Sequence, residues 1–190
     1  MFKEMVRKTR SYRRFYQDVD ISLETLRELV DLARLASSGR NMQPLKYALC
    51  ADRATNAAIF ATLAWAGYLM DWGGPVEGER PAAYIVVLGD TTLSQSFGVD
   101  EGIAIQNIML GATERGLGGC ILGSVQREQV RQILDIPTQY EILHVLALGK
   151  PKETVVLETI GPDGDVKYWR DQAGVHHVPK RRLEDIIVLP

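Results

Sequence analysis

The chain has 190 residues, of which 46% are hydrophobic and 24% charged, with a formal net charge of -2 and a pI near 5.9. That balance describes a globular chain and excludes whole-chain disorder, collagen and coiled coil. It offers no bulk field for nucleic acid or an anionic membrane, and the apolar runs at 82–88 and 142–148 are too short to cross a bilayer.

The opening MFKEMVRKTR has no apolar core of a secretion signal, which sets the expectation of a cytoplasmic protein. Arg10-Ser11-Tyr12-Arg13-Arg14 then places three arginines and two hydroxyls in a row. A guanidinium is a planar fork of donors that suits phosphate or a conjugated anionic edge. The plain alternative is a solvated basic patch. Residues 22–36 predict an amphipathic helix capped by Ser22, with Leu23, Leu26, Leu29, Val30 and Ala33 forming one stripe.

Ser37, Ser38 and Gly39 break that helix and open a polar loop running to Pro44. Its Asn41 and Gln43 each carry a donor and an acceptor, which suits a heterocycle of alternating carbonyls and ring nitrogens. Ordinary turn chemistry also accounts for the loop. A strand follows at 45–51, a helix at 54–70 with Trp65, a Gly/Pro loop at 71–81 and a buried strand at 82–88.

Asp100 is expected to cap a helix ending near Arg115, and that helix is apolar almost all round, as suits a core or an interface. GLGGCILGS at 116–124 is not a dinucleotide fingerprint, because its glycines follow a helix and do not open one after a strand. A turn at Gly123 would expose backbone N–H groups to a flat ligand, and a helix C-cap plus turn is the plain alternative. A short strand at 120–122, a helix at 126–134 with Ser124 as its cap, and a strand at 142–148 follow. A hairpin is expected over 154–168, around Pro162-Asp163-Gly164.

Val178-Pro179-Lys180-Arg181-Arg182-Leu183 is a second basic cluster, able to close on the same phosphate as the first or to be a solvated tail. His144 reads as a core or interface histidine, and His176-His177 lacks a partner at metal spacing. Cys50 and Cys120 lie in apolar stretches; two buried thiols fit them better than a disulfide. No GxSxG, HExxH or P-loop appears.

TRSYRRF at 9–15, SSGRNMQP at 37–44, DEGIAIQNIMLGATERGLGGCILG at 100–123 and VPKRRLEDII at 178–187 together resemble the nitroreductase family of FMN-dependent oxidoreductases. The resemblance implies one FMN-binding domain over 1–190, of α+β class, with a central mostly antiparallel sheet flanked by helices. It implies an intertwined homodimer with FMN at the subunit interface. The tail from about 169 to 190 would reach the partner, with Ile186, Ile187, Val188 and Leu189 in contact.

By the same resemblance, Arg10, Ser11 and Arg13 meet the ribityl-phosphate and pyrimidine edge, and Lys180 and Arg182 close on the phosphate. Ser37, Ser38, Asn41 and Gln43 approach the flavin from the other subunit, and Ile121, Leu122 and Gly123 lie by its reactive ring. NADH or NADPH would deliver a hydride to the flavin N5, and a nitroaromatic, quinone or related small acceptor would take it, in ping-pong turnover. No acid/base side chain is required by that scheme. A non-catalytic FMN-binding sensor or carrier and a flavin-free interaction protein are the other readings. The sequence departs from the pattern at Thr9, at Leu45 and in the short 62–80 region, which bear on substrate preference.

Overall fold

The computed structural model describes residues 1–188, so Leu189 of the expected tail contact lies outside the described residues. Helix α1 (Phe2–Lys8) leads into a two-residue strand β1 (Phe15–Tyr16), neither of which the sequence pattern announces. Helix α2 (Leu23–Arg34) starts as expected, with the Ser22 hydroxyl accepting from the Thr25 N–H at 3.0 Å. Strand β2 (Leu45–Cys50) follows, then α3 (Arg53–Phe60), capped by Asp52.

The helix expected over 54–70 ends at Phe60. The Thr62 hydroxyl donates to Ile59 O, and the following backbone is taken by residues far along the chain. Leu63 bridges Val125, Ala64 N–H donates to Ser124 O, and Gln126 N–H donates to Thr62 O. Tertiary pairing overrides helix propensity here.

Strand β3 (Ala83–Asp90) is buried at every position, which explains its unbroken apolar run. Helix α4 (Gly98–Glu114) begins two residues before Asp100, so Asp100 sits in its first turn and does not cap it. Strand β4 (Gly118–Leu122) leads to α5 (Arg127–Ile133), whose N-cap is Gln126 with no side-chain hydrogen bond, in place of the expected Ser124. Strand β5 (Tyr140–Pro151) is the longest.

The main sheet has the order β1-β5-β3-β2, with β4 also on β5, and every pairing is antiparallel. The class is α+β, as expected. On one face Leu26, Leu29, Ile105 and Ile108 of α2 and α4 pack with Ile85, Val87, Leu146 and Leu148. On the other, Ile59 of α3 and Val130 of α5 pack with Tyr84, Val86, Val145 and Ala147. Each Leu, Ile or Val among them contributes roughly 1.5–3 kcal/mol when fully buried. A Cβ on Gly111 would lie 2.2 Å from Leu32 Cδ1, so a side chain there would force Leu32 of α2 to shift.

Strand β5 carries a bulge. Val87 pairs with His144 but Leu88 pairs with Ile142, leaving Leu143 as the extra residue. Leu143 therefore joins the α4-side core while Ile142 joins the other.

The expected 154–168 hairpin does not form. A turn does occur at 161–164, but β6 (Val155–Thr159) pairs in parallel with β8 (His176–Lys180), and β7 (Trp169–Arg170) pairs antiparallel with β8. The first part of the tail thus supplies two strands, β7 and β8, of its own chain's small sheet. Leu183, Ile186, Ile187 and Val188 beyond it are exposed. Cys50 and Cys120 are free and buried, and burial pushes the Cys50 thiol up to about 11 and raises Cys120. Among the described residues no helix is long and apolar enough to cross a membrane.

Candidate functional site

After α1 the chain runs along the free edge of β4. Ser11 bridges Gly119, and Tyr12 N–H donates to Gly119 O at 2.9 Å. A Cβ on Gly119 would meet Ala147 O of β5 at 2.6 Å, so the pairing of β4 with β5 at this point requires glycine. Arg13 is buried, its backbone N–H donates to the Glu153 carboxylate, and its Nη1 donates to His176 Nε2 at 3.1 Å. Its guanidinium lies 4.7 Å above the Tyr168 ring. Glu153 also accepts from Arg170 at 2.9 Å.

These contacts join the two ends of the chain. Arg10, Ser11, Arg13, Ile121 and Lys180 line one cleft of about 270 Å³, walled by Gln106 and Met109 of α4. Tyr168 and His176 also line it. Neither is marked by local pattern, because the crossing of β8 onto β6 brings them there; Gln106 lies within the 100–123 motif.

The cleft is electrostatically poised for an anion. Arginine only donates, so His176 Nε2 must accept, and the imidazole is neutral with its proton on Nδ1. Burial, then the charges of Arg13 and Arg170, push His176 down to about 4. Burial also draws Arg10 below its ordinary range, although it remains a cation. The buried Nε atoms of Arg10 and Arg13 and Nδ1 of His176 have no partner among the described residues. An unpaired buried donor costs about 1–3 kcal/mol, which a bound acceptor would recover.

The 37–43 loop lies on the other flank of α4. The Ser38 hydroxyl donates to the Asp100 carboxylate, Gly39 N–H donates to it at 2.8 Å, and Gln43 N–H donates to Ser38 Oγ at 2.8 Å. Arg40, Asn41 and Gln43 hold φ of 53°, 57° and 50°, a strained run for residues other than glycine. Ser37, Ser38 and Gln43 line a separate cavity of about 230 Å³ with Tyr47, Asp100 and Ala104. Asn41 is exposed on the same loop.

The remaining expected residues sit outside the cleft lining. Leu122 points into the opposite core, Gly123 is exposed one residue beyond β4, and Arg182 is exposed past β8. His144 is not a core histidine: its side chain is 36% exposed, it lies beside Gly123, and its Nδ1 bonds the Glu101 carboxylate.

The sequence profile of the nitroreductase family matches residues 6–68 and 80–150. A provisionally named NADH dehydrogenase/NAD(P)H nitroreductase of Archaeoglobus fulgidus is 30% identical over 153 residues, covering 76% of this chain and 83% of that protein. A nitroreductase family protein of Streptococcus pneumoniae superposes over 100% of both chains with a TM-score of 0.71 at 17% identity, a likeness of fold alone. The NADPH:FMN oxidoreductase of Vibrio harveyi, solved with NAD+, is 25% identical with a TM-score of 0.62, over 79% of this chain and 68% of that one. The profile covers well over half of the chain, from the N-terminal arginine cluster through β5, and the chain therefore belongs to the nitroreductase family.

Proposed function

We propose that the chain is an FMN-dependent oxidoreductase passing a hydride from NADH or NADPH to a nitroaromatic, quinone or related small acceptor, in two half-reactions at one site. The observation that carries this reading is the pair of buried Arg10 and Arg13 Nε atoms, without a partner among the described residues, gathered with Lys180 at one cleft. The names of the Archaeoglobus and Vibrio relatives support the donor and the cofactor class. FMN, when bound, supplies an N5 that accepts a hydride from a nicotinamide and releases it to an acceptor.

The chain supplies binding, orientation and charge. Arg10, Arg13, Ser11 and Lys180 hold the phosphate, ribityl and pyrimidine groups, and Arg182 reinforces the phosphate end. Fixed cations in a site closed to water stabilise negative charge without reorganising. Ile121, Leu122 and Gly123 set the floor beneath the ring, with backbone N–H groups as donors.

The cleft's 270 Å³ is below the usual range for ligand pockets, about 300–1,000 Å³, so the site calls for a second wall. Helix α4 exposes Val99 and Ile103, an apolar stripe that suits a second copy of the chain. In such a homodimer Ser37, Ser38, Asn41 and Gln43 of one subunit face the cleft of the other. The exposed Ile186, Ile187 and Val188 extend the contact.

Titrating FMN fluorescence with the protein tests the assignment. Quenching at micromolar or tighter affinity is expected, and Arg10→Ala and Lys180→Ala each weaken it by about 10- to 100-fold, as loss of a charge-assisted hydrogen bond does. Unquenched FMN, or affinity unchanged in both variants, contradicts it.

A further inference from the structure

We infer that His144, positioned by Glu101, donates the proton that a quinone acceptor takes up together with its hydride. The inference rests on the proposed FMN function and adds a proton donor to it.

Four features of the fold converge on His144. The first is the β5 bulge, which places Leu143 and His144 together on the α4 side of the sheet. Bulges recur beside active sites because they re-aim a side chain. The second is Arg127 of α5, which donates to Ile142 O at 2.9 Å, Leu143 O at 3.2 Å and Gly123 O at 3.4 Å. One guanidinium thus fixes both the bulge and the turn at Gly123. The third is the hydrogen bond of Nδ1 to Glu101 in the first part of α4. An ionised carboxylate only accepts, so Nδ1 donates and Nε2 is the free nitrogen.

The fourth is where Nε2 lies. A Cβ on Gly123 would sit 3.4 Å from it, which puts it against the turn assigned to the reacting edge of the ring. His144 and Ile121 share the α4 face of neighbouring strands, so the imidazole continues the cleft floor past Ile121. Glu101 of α4 is 13% exposed, whereas the imidazole is open enough to exchange protons with water. Arg127 of α5, bonded to carbonyls on either side, is the neighbouring cation. Asp100 of α4, adjacent in sequence, and Tyr47 of β2, on which both carboxylates act, are further titratable groups near Glu101. Tyr47, Val87 and His144 form one row across the sheet.

Reduction of a quinone to a hydroquinone consumes one hydride and one proton. The electron pair arrives with the hydride from the bound cofactor. The proton leaves Nε2 of the imidazolium: that N–H bond breaks, a bond forms to the quinone oxygen, and neutral imidazole remains. Water returns the proton. Glu101 is a positioning residue that fixes the tautomer and stabilises the cation.

Two readouts test this. The first is carbethoxylation by diethyl pyrocarbonate, mapped by mass spectrometry on the apo protein. His144 is modified and added FMN protects it, while His177 is not protected. The second is stopped-flow of the FMN-loaded enzyme, reduced by whichever of NADH and NADPH bleaches it and then mixed with a 1,4-benzoquinone. His144→Gln lowers the ratio of reoxidation to reduction rate by about tenfold or more, the scale of general-acid catalysis. The wild-type reoxidation rate is expected to fall with rising pH, and His144→Gln removes that dependence. Free imidazole restores part of the rate to His144→Ala, and Glu101→Gln gives a smaller loss than His144→Gln. An FMN-loaded His144→Gln enzyme with an unchanged ratio and pH profile overturns the inference and leaves the FMN assignment standing. A wild-type protein that retains no FMN overturns both.

Discussion

Arg13 and His176, separated by 163 positions in sequence, meet at 3.1 Å between Nη1 and Nε2. That contact ties the N-terminal cationic cluster to β8 and so places Arg10, Ser11 and Lys180 at one cleft. It works only while the imidazole is neutral, because the protonated ring has no lone pair left to accept.

A pH dependence follows. His176 titrates near 6.5 when unfolded and is pushed to about 4 in the folded protein. Between those values the unfolded chain binds more protons, so this group's contribution to stability is complete above pH 6.5 and falls as pH drops toward 4. His176→Gln should flatten the stability–pH slope there by up to about 1.4 kcal/mol per pH unit. His177 acts with the opposite sign: its hydrogen bond to Glu158 raises it, so its contribution is full at low pH and is lost as pH rises through its folded pKa. Urea melts from pH 4 to 7 measure both, and an unaltered slope in His176→Gln contradicts the assignment.

Glu79 anchors the 71–81 loop to the sheet edge. Its carboxylate accepts from Arg14 at 2.6 and 2.7 Å and from Lys152 at 3.0 Å. The hydrogen bond from Arg14 is the main cause that lowers it to about 2. Its contribution is present above the ordinary carboxylate range and is lost as pH falls through about 2. Glu79→Gln should cost about 1–3 kcal/mol at pH 7. Equal denaturation midpoints for variant and wild type would show that the pair contributes nothing.

Backbone strain at Gln43 is expected to serve binding. Gln43→Gly relieves its φ of 50° and should leave stability unchanged or raise it by up to about 1 kcal/mol. FMN affinity should fall severalfold in the same variant, as the loop loses its fixed shape. Thermal melts with and without FMN separate the two effects; a destabilised apo protein would mean that the conformation is not strained.

Gly119 supports both fold and site. Gly119→Ala drives a Cβ against Ala147 O and Leu148, and a backbone carbonyl within a paired strand has little room to move. A loss of about 1–3 kcal/mol is expected, with weaker FMN retention because Ser11 bridges this residue. Wild-type stability in this variant would contradict the close approach of Gly119 to β5.

The sequence carries the parts of the fold that local chemistry decides. Ser22 starts α2 because its hydroxyl meets the Thr25 N–H, and the apolar run of β3 reflects burial on both faces. It does not carry the parts decided at long range. The 54–70 pattern stops at Phe60 because Thr62, Leu63 and Ala64 pair with 124–126. The 154–168 pattern folds onto β8 and not back on itself, because a parallel partner leaves no turn signature nearby. Asp100 resembles a cap in isolation, but its carboxylate holds Ser38 and Gly39. Among the candidate residues, the two arginine-rich ends are visible as composition, and Arg10, Ser11, Arg13 and Lys180 do meet at one cleft. Tyr168, His176 and the bulge that presents His144 have no local signal, since each exists only through strand register.

The most direct test of the account is the visible spectrum of purified protein that has been incubated with FMN, desalted and kept free of oxygen while NADH and then NADPH are added. A retained yellow flavin that one of the two donors bleaches is expected. A colourless protein after desalting would contradict cofactor binding, and a retained flavin that neither donor bleaches would contradict the oxidoreductase assignment.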